Sequence, residues 1–550
     1  MQSRSHLDLT NVATLLALLI LPIATPSLGA RRERVVEAWQ PFNYNVAITL
    51  DDQLTAITKA RTEITVQVLK DRLVLVDLDF GEMDIDAVTI GGKVAKFDRT
   101  PGLLNVHLAN PATKGSRFVI AVEYHGKPKD GLILTADKDG KPSATGDNWP
   151  NRAHHWIPCL DHPSAKATVT FTVTAPAKDL VVANGRLDRV QDSANTTRTW
   201  TYTEGVPIPA YCMVIVVGEY AKSEPSAPAV TPLSYYVPPS DAKFALQGFA
   251  PAAPSLKFFS DAIAPYPYEK LGLIVGATRF GGMENSSAIV FASTLFNSKT
   301  APRMSLRFNI PERLEDVVAH EIAHQWFGDS VTESTWSDLW LSEGFATYFA
   351  GLFIEKYEGK DAFKEYMQRA AQSYFAYEKQ TRTPIHDTET EDLFKLLNPN
   401  NYQKGAWVLH MLRSSLGDDA FFRGLRLYYN AHKSANASTE DLRAALEKAS
   451  GHKLNEFFAR WVYGIGHPQY ELTWAWTETS SSLTMTLKQT HANEAFLDSV
   501  TVEVTTVNGK QRLTIQPTGK LSSKQVRLRD RPTIVALDPD NTILKEVAAP

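Results

Sequence analysis

The chain has 550 residues, more than one ordinary core accommodates, so two to four domains are expected. A hydrophobic fraction of 43% with 10% aromatics excludes a disordered protein. A formal net charge of −4, without a long basic run beyond the extreme N-terminus, argues against a nucleic-acid binder. Two cysteines, Cys159 and Cys212, are too few for a disulfide scaffold; they either pair or stand as separate buried thiols.

In chain order, the first segment reads as a targeting leader. Arg4 and His6 precede the apolar run Val12–Ile20, Pro22 and Pro26 break it, and the small residues Ser27, Gly29 and Ala30 come before Arg31 and Arg32. The run is short for a membrane span and suits a secretory signal peptide over residues 1–30. A secreted or periplasmic protein is therefore expected, with an uncleaved membrane anchor as the alternative.

From about residue 37 to 220 the pattern is β. Phe42, Tyr44, Val46, Ile48 and Leu50 alternate with Asn43, Asn45, Ala47 and Thr49, as in a half-buried strand. Residues 72–80 and 167–174 are similarly strand-like. The proline-rich stretch Ser223–Pro232 is a candidate linker. Beyond it the signals turn helical. A helix is expected from Pro311, with Glu312, Glu315 and Asp316 at its positive end, running to about Phe327 and stopping at Gly328. Ser438-Thr-Glu-Asp441 is a capping box opening another helix, which ends at Gly451. After about Pro468 the β pattern returns, with a hairpin signal at Asn508-Gly509.

The chemistry is concentrated in His320-Glu321-x-x-His324, followed after eighteen residues by Glu343 in Trp340-Leu-Ser-Glu-Gly344. Helical residues four apart share a face, so the two histidines can present imidazoles to one ion while Glu321 stands beside it. A chain of this composition holds roughly a few hundredths of a chance match to the five-residue pattern. Catalytic zinc takes three protein ligands and keeps a position for water. His320, His324 and Glu343 supply the three, and Glu321 is the candidate base for that water. A tetrahedral intermediate then needs a second oxyanion donor.

These residues define a zinc hydrolase. Together with Gly281-Gly-Met-Glu-Asn285, His320–Val331, Trp340–Ala346, Tyr402-Gln-Lys-Gly405 and Pro158–Lys166, the chain resembles the aminopeptidase N family of gluzincins, which includes the leukotriene epoxide hydrolase. The resemblance implies a multidomain α+β fold. An N-terminal β-sandwich or saddle domain (31–225) precedes a thermolysin-like, mostly helical catalytic domain (226–465) and a small C-terminal β-sandwich (466–550). It implies one zinc ion and peptide substrates with a free N-terminus. Glu284 would bind the α-amino group, Gly281 and Gly282 would let substrate backbone approach, Met283 would touch the first side chain, and Tyr402 would donate to the oxyanion. Asp329, Asp338 and Glu333 lie near the motif and either orient the ligand histidines or serve a solvated or structural role.

Two departures concern the substrate side. Where many members carry a glutamine that helps hold the amine, this chain has Gly146-Asp-Asn-Trp-Pro150, with Trp149 at the aligned place and Asp147 or Asn148 as candidate substitutes. The sequence after the catalytic segment is about 85 residues of β pattern, not the large helical domain of many members, which predicts a more open site. An epoxide hydrolase, a thermolysin-type endopeptidase and an inactive binding scaffold are the competing readings. All the expected ligands, the base and the tyrosine are present, and the Glu284 motif speaks against an endopeptidase.

Overall fold

The computed structural model describes residues 30–192, 196–226, 229–296, 303–304 and 311–548. The expected leader, apart from Ala30, lies outside them. Among the described residues no helix is long and apolar enough to cross a membrane. The fold is mixed α+β, with a β-rich N-terminal part, a helical middle and a β C-terminal part.

An eight-stranded mixed sheet dominates the N-terminal part. At its centre Trp39–Leu50 pairs antiparallel with Ile57–Val68 and parallel with Lys166–Pro176. Tyr44, Val46, Ile48 and Leu50 are buried as the alternation requires. Phe42 is not: it is 45% exposed, with the Arg117 guanidinium 3.5 Å from its ring centroid. The register against Ile57–Val68 shifts between Pro41 and Asn43, and such a bulge turns the preceding side chain to the other face. Cys159 and Cys212 are both buried and free.

A five-stranded sheet follows, in the order Ala221–Ser223, Leu233–Val237, Leu271–Gly276, Ala288–Ala292, Gly282–Met283. The proline-rich Ser223–Pro232 stretch lies between Ala221–Ser223 and Leu233–Val237. It joins two neighbouring antiparallel strands of one sheet. Gly282–Met283 forms the edge of that sheet, antiparallel to Ala288–Ala292.

The longer helices are α1 (Ala252–Ala262), α2 (Leu314–His324), α3 (Trp340–Tyr357), α4 (Lys360–Glu378), α5 (Gly405–Leu416), α6 (Asp418–His432) and α7 (Thr439–Ser450). Helix α2 begins later than expected, because Pro311-Glu312 pairs with Arg303-Met304 as a two-residue strand. Glu315 and Asp316 still sit in its first turn, where the helix dipole favours acids. It ends at His324, and Gly328 follows at a φ of +122°. Val318, Ala319, Ile322 and Ala323 bury one face of α2 in the core. Every residue of α3 from Trp340 to Ile354 is buried, so this apolar helix runs through the interior. The capping box at Ser438 and Asp441 opens α7, and Gly451 ends it in the left-handed conformation.

The C-terminal part holds a four-stranded and a three-stranded sheet that share one apolar core around Tyr470, Leu487, Val502 and Ile515. The Asn508-Gly509 hairpin joins Val500–Thr506 to Gly509–Ile515.

A single ammonium ties the N-terminal sheet to the segment after α2. Lys166 Nζ donates to the carbonyl oxygens of Asp329 (2.7 Å), Ser330 (2.8 Å) and Ala435 (3.3 Å). Replacing Lys166 with methionine keeps the stem and leaves these acceptors without their donor. The expected cost is about 1–3 kcal/mol of stability, read as a lower thermal midpoint. An unchanged midpoint would mean that this tie contributes nothing.

Candidate active site

Helix α2 presents His320 and His324 one turn apart, and α3 brings Glu343 against them. The Nε2 atoms of the two histidines lie 3.1 Å apart, and Glu343 Oε2 is 3.3 Å from His320 Nε2 and 3.4 Å from His324 Nε2. Glu343 Oε2 is buried and has no hydrogen-bond partner among the described residues. His324 Nδ1 faces two oxygens, the Phe327 carbonyl at 3.2 Å and Ser342 Oγ at 3.0 Å. Donation to the carbonyl places the proton on Nδ1 and leaves the Nε2 lone pair facing Glu343. Three electron-pair donors thus converge around a place for a cation, a proton or a metal ion, and against the opposing effect of burial the carboxylates of Glu284, Glu343 and Glu321 raise His324 to about 10. Two imidazoles and one carboxylate are a donor set that zinc accepts, so the residues fit the metal.

Glu321, on the same helix, is 6% exposed. Its carboxylate fills the space over Gly282: a Cβ built there would lie 2.3 Å from Glu321 Oε1. The absent side chain at Gly282 therefore makes room for Glu321 itself, while a Cβ on Gly281 would meet nothing within 4 Å. A carboxylate oxygen of Glu284, one of Glu321 and a ring nitrogen of His324 all lie within 4.8 Å of one another. Burial raises the Glu284 carboxyl to about 7, with Glu343 and Asp147 adding to the shift against the opposing pull of His324. Burial likewise raises Glu321 well above the usual carboxylate range, reinforced by Glu284 and Glu343. Met283 is 1% exposed and packs into the N-terminal core; the neighbouring Phe280 is the partly exposed side chain at this edge.

Tyr402 sits on a π-helical turn, Asn400–Lys404, directly before α5. Its hydroxyl donates to Glu343 Oε1 at 2.7 Å, and its ring stacks on His320 at a centroid distance of 6.0 Å. The approach depends on two glycines. A Cβ on Gly344 would stand 2.9 Å from Gly405 Cα, and one on Gly405 would stand 3.0 Å from Gly344 Cα. Helices α3 and α5 cross with their backbones in contact, and that crossing sets Tyr402 beside Glu343.

The three proposed histidine-orienting acids do otherwise. Asp329 accepts from Gln325 Nε2 (2.9 Å) and the Cys212 thiol (3.3 Å). Asp338 accepts from Thr439 Oγ1 (2.7 Å) and His386 Nδ1 (3.0 Å). Neither carboxylate oxygen of Glu333 has a hydrogen-bond partner among the described residues, and burial raises its pKa. Among the described residues no hydrogen bond links any of them to His320 or His324; the Phe327 carbonyl and Ser342 Oγ stand at His324 Nδ1 instead.

The N-terminal wall departs from expectation too. Asn148 donates to the Met213 carbonyl at 2.6 Å and accepts from Trp156 Nε1 at 2.8 Å. Asp147 accepts from Arg152 Nη2 (2.9 Å), Thr278 Oγ1 (3.2 Å) and the Arg279 amide (3.3 Å). Asn148 is thus committed within its own body, and Asp147 fastens the loop leading to Gly281. Trp149 is 3% exposed and meets Phe280, Trp336 and Phe394 edge-on at 5.7–5.9 Å.

One residue of the site escaped the sequence reading. Gln325, the residue after His324, is fully buried and its amide is saturated. Its Nε2 donates to the Glu284 carbonyl (2.8 Å) and to Asp329, and its Oε1 accepts from the Ser287 amide (2.8 Å) and the Tyr266 hydroxyl (3.0 Å). The available signal was its place: a glutamine beside a ligand histidine, one residue beyond the end of a largely buried helix.

This arrangement, two imidazoles and a carboxylate gathered beside further buried acids, is that of a metallopeptidase class of site, and comparison agrees. A family model for the "Peptidase family M1 domain" matches residues 249–461, and one for the "Peptidase M1 N-terminal domain" matches residues 40–212. The chain belongs to peptidase family M1. It is 32% identical over 362 residues to "Probable aminopeptidase 2" of Sulfurisphaera tokodaii, covering 64% of this chain and 45% of that protein. It is 28% identical over 376 residues to "Glutamyl aminopeptidase" of Rattus norvegicus, covering 65% and 39%. It is 27% identical over 405 residues to "Tricorn protease-interacting factor F2" of Thermoplasma acidophilum, covering 72% and 50%. The chain thus spans half or less of the length of these curated relatives.

The His324 contacts give a prediction. Ser342→Ala removes one of the two oxygens at Nδ1 and is expected to weaken zinc binding about tenfold, measured by competition with a fluorescent chelator. An affinity equal to that of the unaltered protein would show that the Phe327 carbonyl suffices.

Proposed function

We propose that the chain is an exported zinc metallo-aminopeptidase, which removes the N-terminal residue from peptides with a free α-amino group. The observation that carries this reading is the placement of Glu284 within 4.8 Å of both Glu321 and His324. A carboxylate that close to the reacting groups leaves room for one residue between a bound ammonium and the cut. After a leader of residues 1–30, residues 31–225, 226–465 and 466–550 serve as the N-terminal, catalytic and C-terminal domains.

His320, His324 and Glu343 would hold the zinc. When bound, zinc supplies a Lewis acid that polarises the scissile carbonyl and acidifies water at the site. Glu321 takes a proton from the attacking water and passes it to the leaving nitrogen. Its raised pKa suits a group that must both accept and return a proton near neutral pH. The Glu284 carboxylate pairs with the substrate ammonium, which offsets the cost of keeping that carboxylate buried and charged. Substrate backbone lies along Gly281, Gly282 and Met283 at the sheet edge. Tyr402 exchanges its hydrogen bond to Glu343 for one to the developing oxyanion, so its hydroxyl is held ready by a ligand carboxylate.

Leucine anilide should be cleaved and N-acetyl-leucine anilide should not; equal rates would overturn the exopeptidase reading. A chelator should abolish the activity and zinc should restore it. Glu321→Gln is expected to keep its zinc and lower kcat by about a thousandfold. Gly282→Ala, which drives a methyl group into the Glu321 carboxylate, should lower kcat by about a hundredfold with the metal still bound. Full activity in that variant would show that Glu321 has room to work elsewhere. Glu284→Ala should act mainly by raising KM, and unchanged kinetics would remove Glu284 from amine recognition.

A further inference from the structure

We infer that Gln325 is a positioning residue that fixes Glu284 relative to His324, and thereby sets how far from the amino end the cut falls. The inference rests on the aminopeptidase reading above.

Glu284 belongs to a turn, Glu284–Ser287, that leaves the sheet edge at Met283 and returns as the strand Ala288–Ala292. Ser287 lies in the left-handed region, at a φ of 61°. A residue other than glycine stays there only where its surroundings over-determine it. From the N-terminal sheet Glu204 Oε2 accepts from Ser287 Oγ (2.9 Å), and the Lys270 ammonium donates to the Ser287 carbonyl (2.7 Å). From just beyond the end of α2 Gln325 takes both ends of the turn. Its Nε2 holds the Glu284 carbonyl and its Oε1 holds the Ser287 amide.

This amide belongs to the residue that follows a metal ligand in sequence. A shift of the turn relative to α2 would have to break two hydrogen bonds buried away from water, and each leaves an unpaired group behind. The amide itself is held from two further sides, by Asp329 and by the Tyr266 hydroxyl. Gln325 thus has one orientation, which assigns its oxygen and nitrogen without ambiguity. The contact of Gly282 with the Glu321 carboxylate restrains the same strand, but through a flexible side chain. Gln325 also acts through a side chain, but its amide is held at all four polar contacts and grips the backbone of the turn at both ends, and backbone placement decides where the Glu284 carboxylate can reach. With this grip loosened, the carboxylate can follow an ammonium one methylene further out.

The test uses the full zinc-loaded chain and three substrates: leucine anilide, β-homoleucine anilide with its amine one methylene further from the carbonyl, and N-acetyl-leucine anilide. Gln325→Glu keeps the acceptor for Ser287 and Tyr266 and loses the donors to Glu284 and Asp329. Gln325→Leu loses all four bonds. Tyr266→Phe loosens Gln325 from one side and keeps the amide. In both Gln325 variants, KM for leucine anilide is expected to rise about tenfold, more than kcat falls, with one zinc per chain retained. The preference for the α- over the β-amino substrate should drop about tenfold, and Tyr266→Phe should shift it less in the same direction. If the Gln325 variants do not fold, Tyr266→Phe alone decides. An unchanged α-to-β preference in the folded variants, or a loss of rate that follows thermal stability equally on both substrates, would overturn the inference. Hydrolysis of N-acetyl-leucine anilide by the unaltered protein at the rate of the free amine would instead overturn the aminopeptidase reading, and this inference with it.

Discussion

The constraint on which the rest of this structure depends is the burial of like charges. Glu284, Glu321 and Glu343 are each less than one-tenth exposed and converge on His324. Buried carboxylates repel one another and lose hydration, so such a cluster is stable only if protonated or joined by cations. Burial lifts Glu284 and Glu321 out of the ordinary carboxylate range, and Glu343 shares Oε2 with two imidazole nitrogens. The site therefore asks for positive charge in two places, between the histidines and Glu343, and beside Glu284. A metal ion and a substrate ammonium are the two cations that an aminopeptidase brings together.

Holding such a cluster requires a scaffold that does not relax. Helix α3 meets the need by burying every residue from Trp340 to Ile354, a stretch in which Glu343 is the one carboxylate, on a helix locked by packing. Two close approaches at glycine then set distances that no side-chain contact could. The Gly344–Gly405 crossing brings Tyr402 within hydrogen-bond range of Glu343, and Gly282 lets the sheet edge lie against Glu321. A methyl group at either place would separate elements whose spacing is the chemistry. Lys166 works at longer range, tying the N-terminal sheet to the carbonyls just beyond α2 and so to the helix that carries His320 and His324.

The grouping of His320, His324 and Glu343 was legible in the sequence because helical periodicity alone puts His320 and His324 on one face, and Glu343 lies in the next expected helical stretch. The Ser438 box and the Asn508-Gly509 hairpin were legible for the same reason: their signals are local. What escaped was tertiary. Phe42 fits the alternation but is turned outward by a bulge that involves the partner strand. Pro311 is a good first helical residue, yet it is drawn into a pairing with Arg303-Met304. Asp329, Asp338 and Glu333 are close to the motif in sequence, and closeness in sequence says nothing of direction. The contacts at His324 come instead from the Phe327 carbonyl, a backbone atom that no side-chain motif encodes, and from Ser342 on the next helix. Gln325 is invisible for the opposite reason, since all four of its partners lie on other segments or beyond the helix end.

The substrate side follows from the same accounting of partners. Asp147 and Asn148 stand near the place where a polar amine ligand was sought, but their polar atoms already serve Arg152, Thr278, Arg279, Trp156 and Met213. An acceptor so engaged cannot turn to an ammonium without leaving a buried donor unpaired, which costs more than a new bond returns. What the N-terminal body brings to this face is shape. Trp149 wedges among Phe280, Trp336 and Phe394 and holds Phe280, the residue before Gly281, against the N-terminal core. In the proposed reading charge recognition is left to Glu284, and the aromatic wedge behind Phe280 braces the sheet edge Gly282–Met283 that leads into the Glu284 turn.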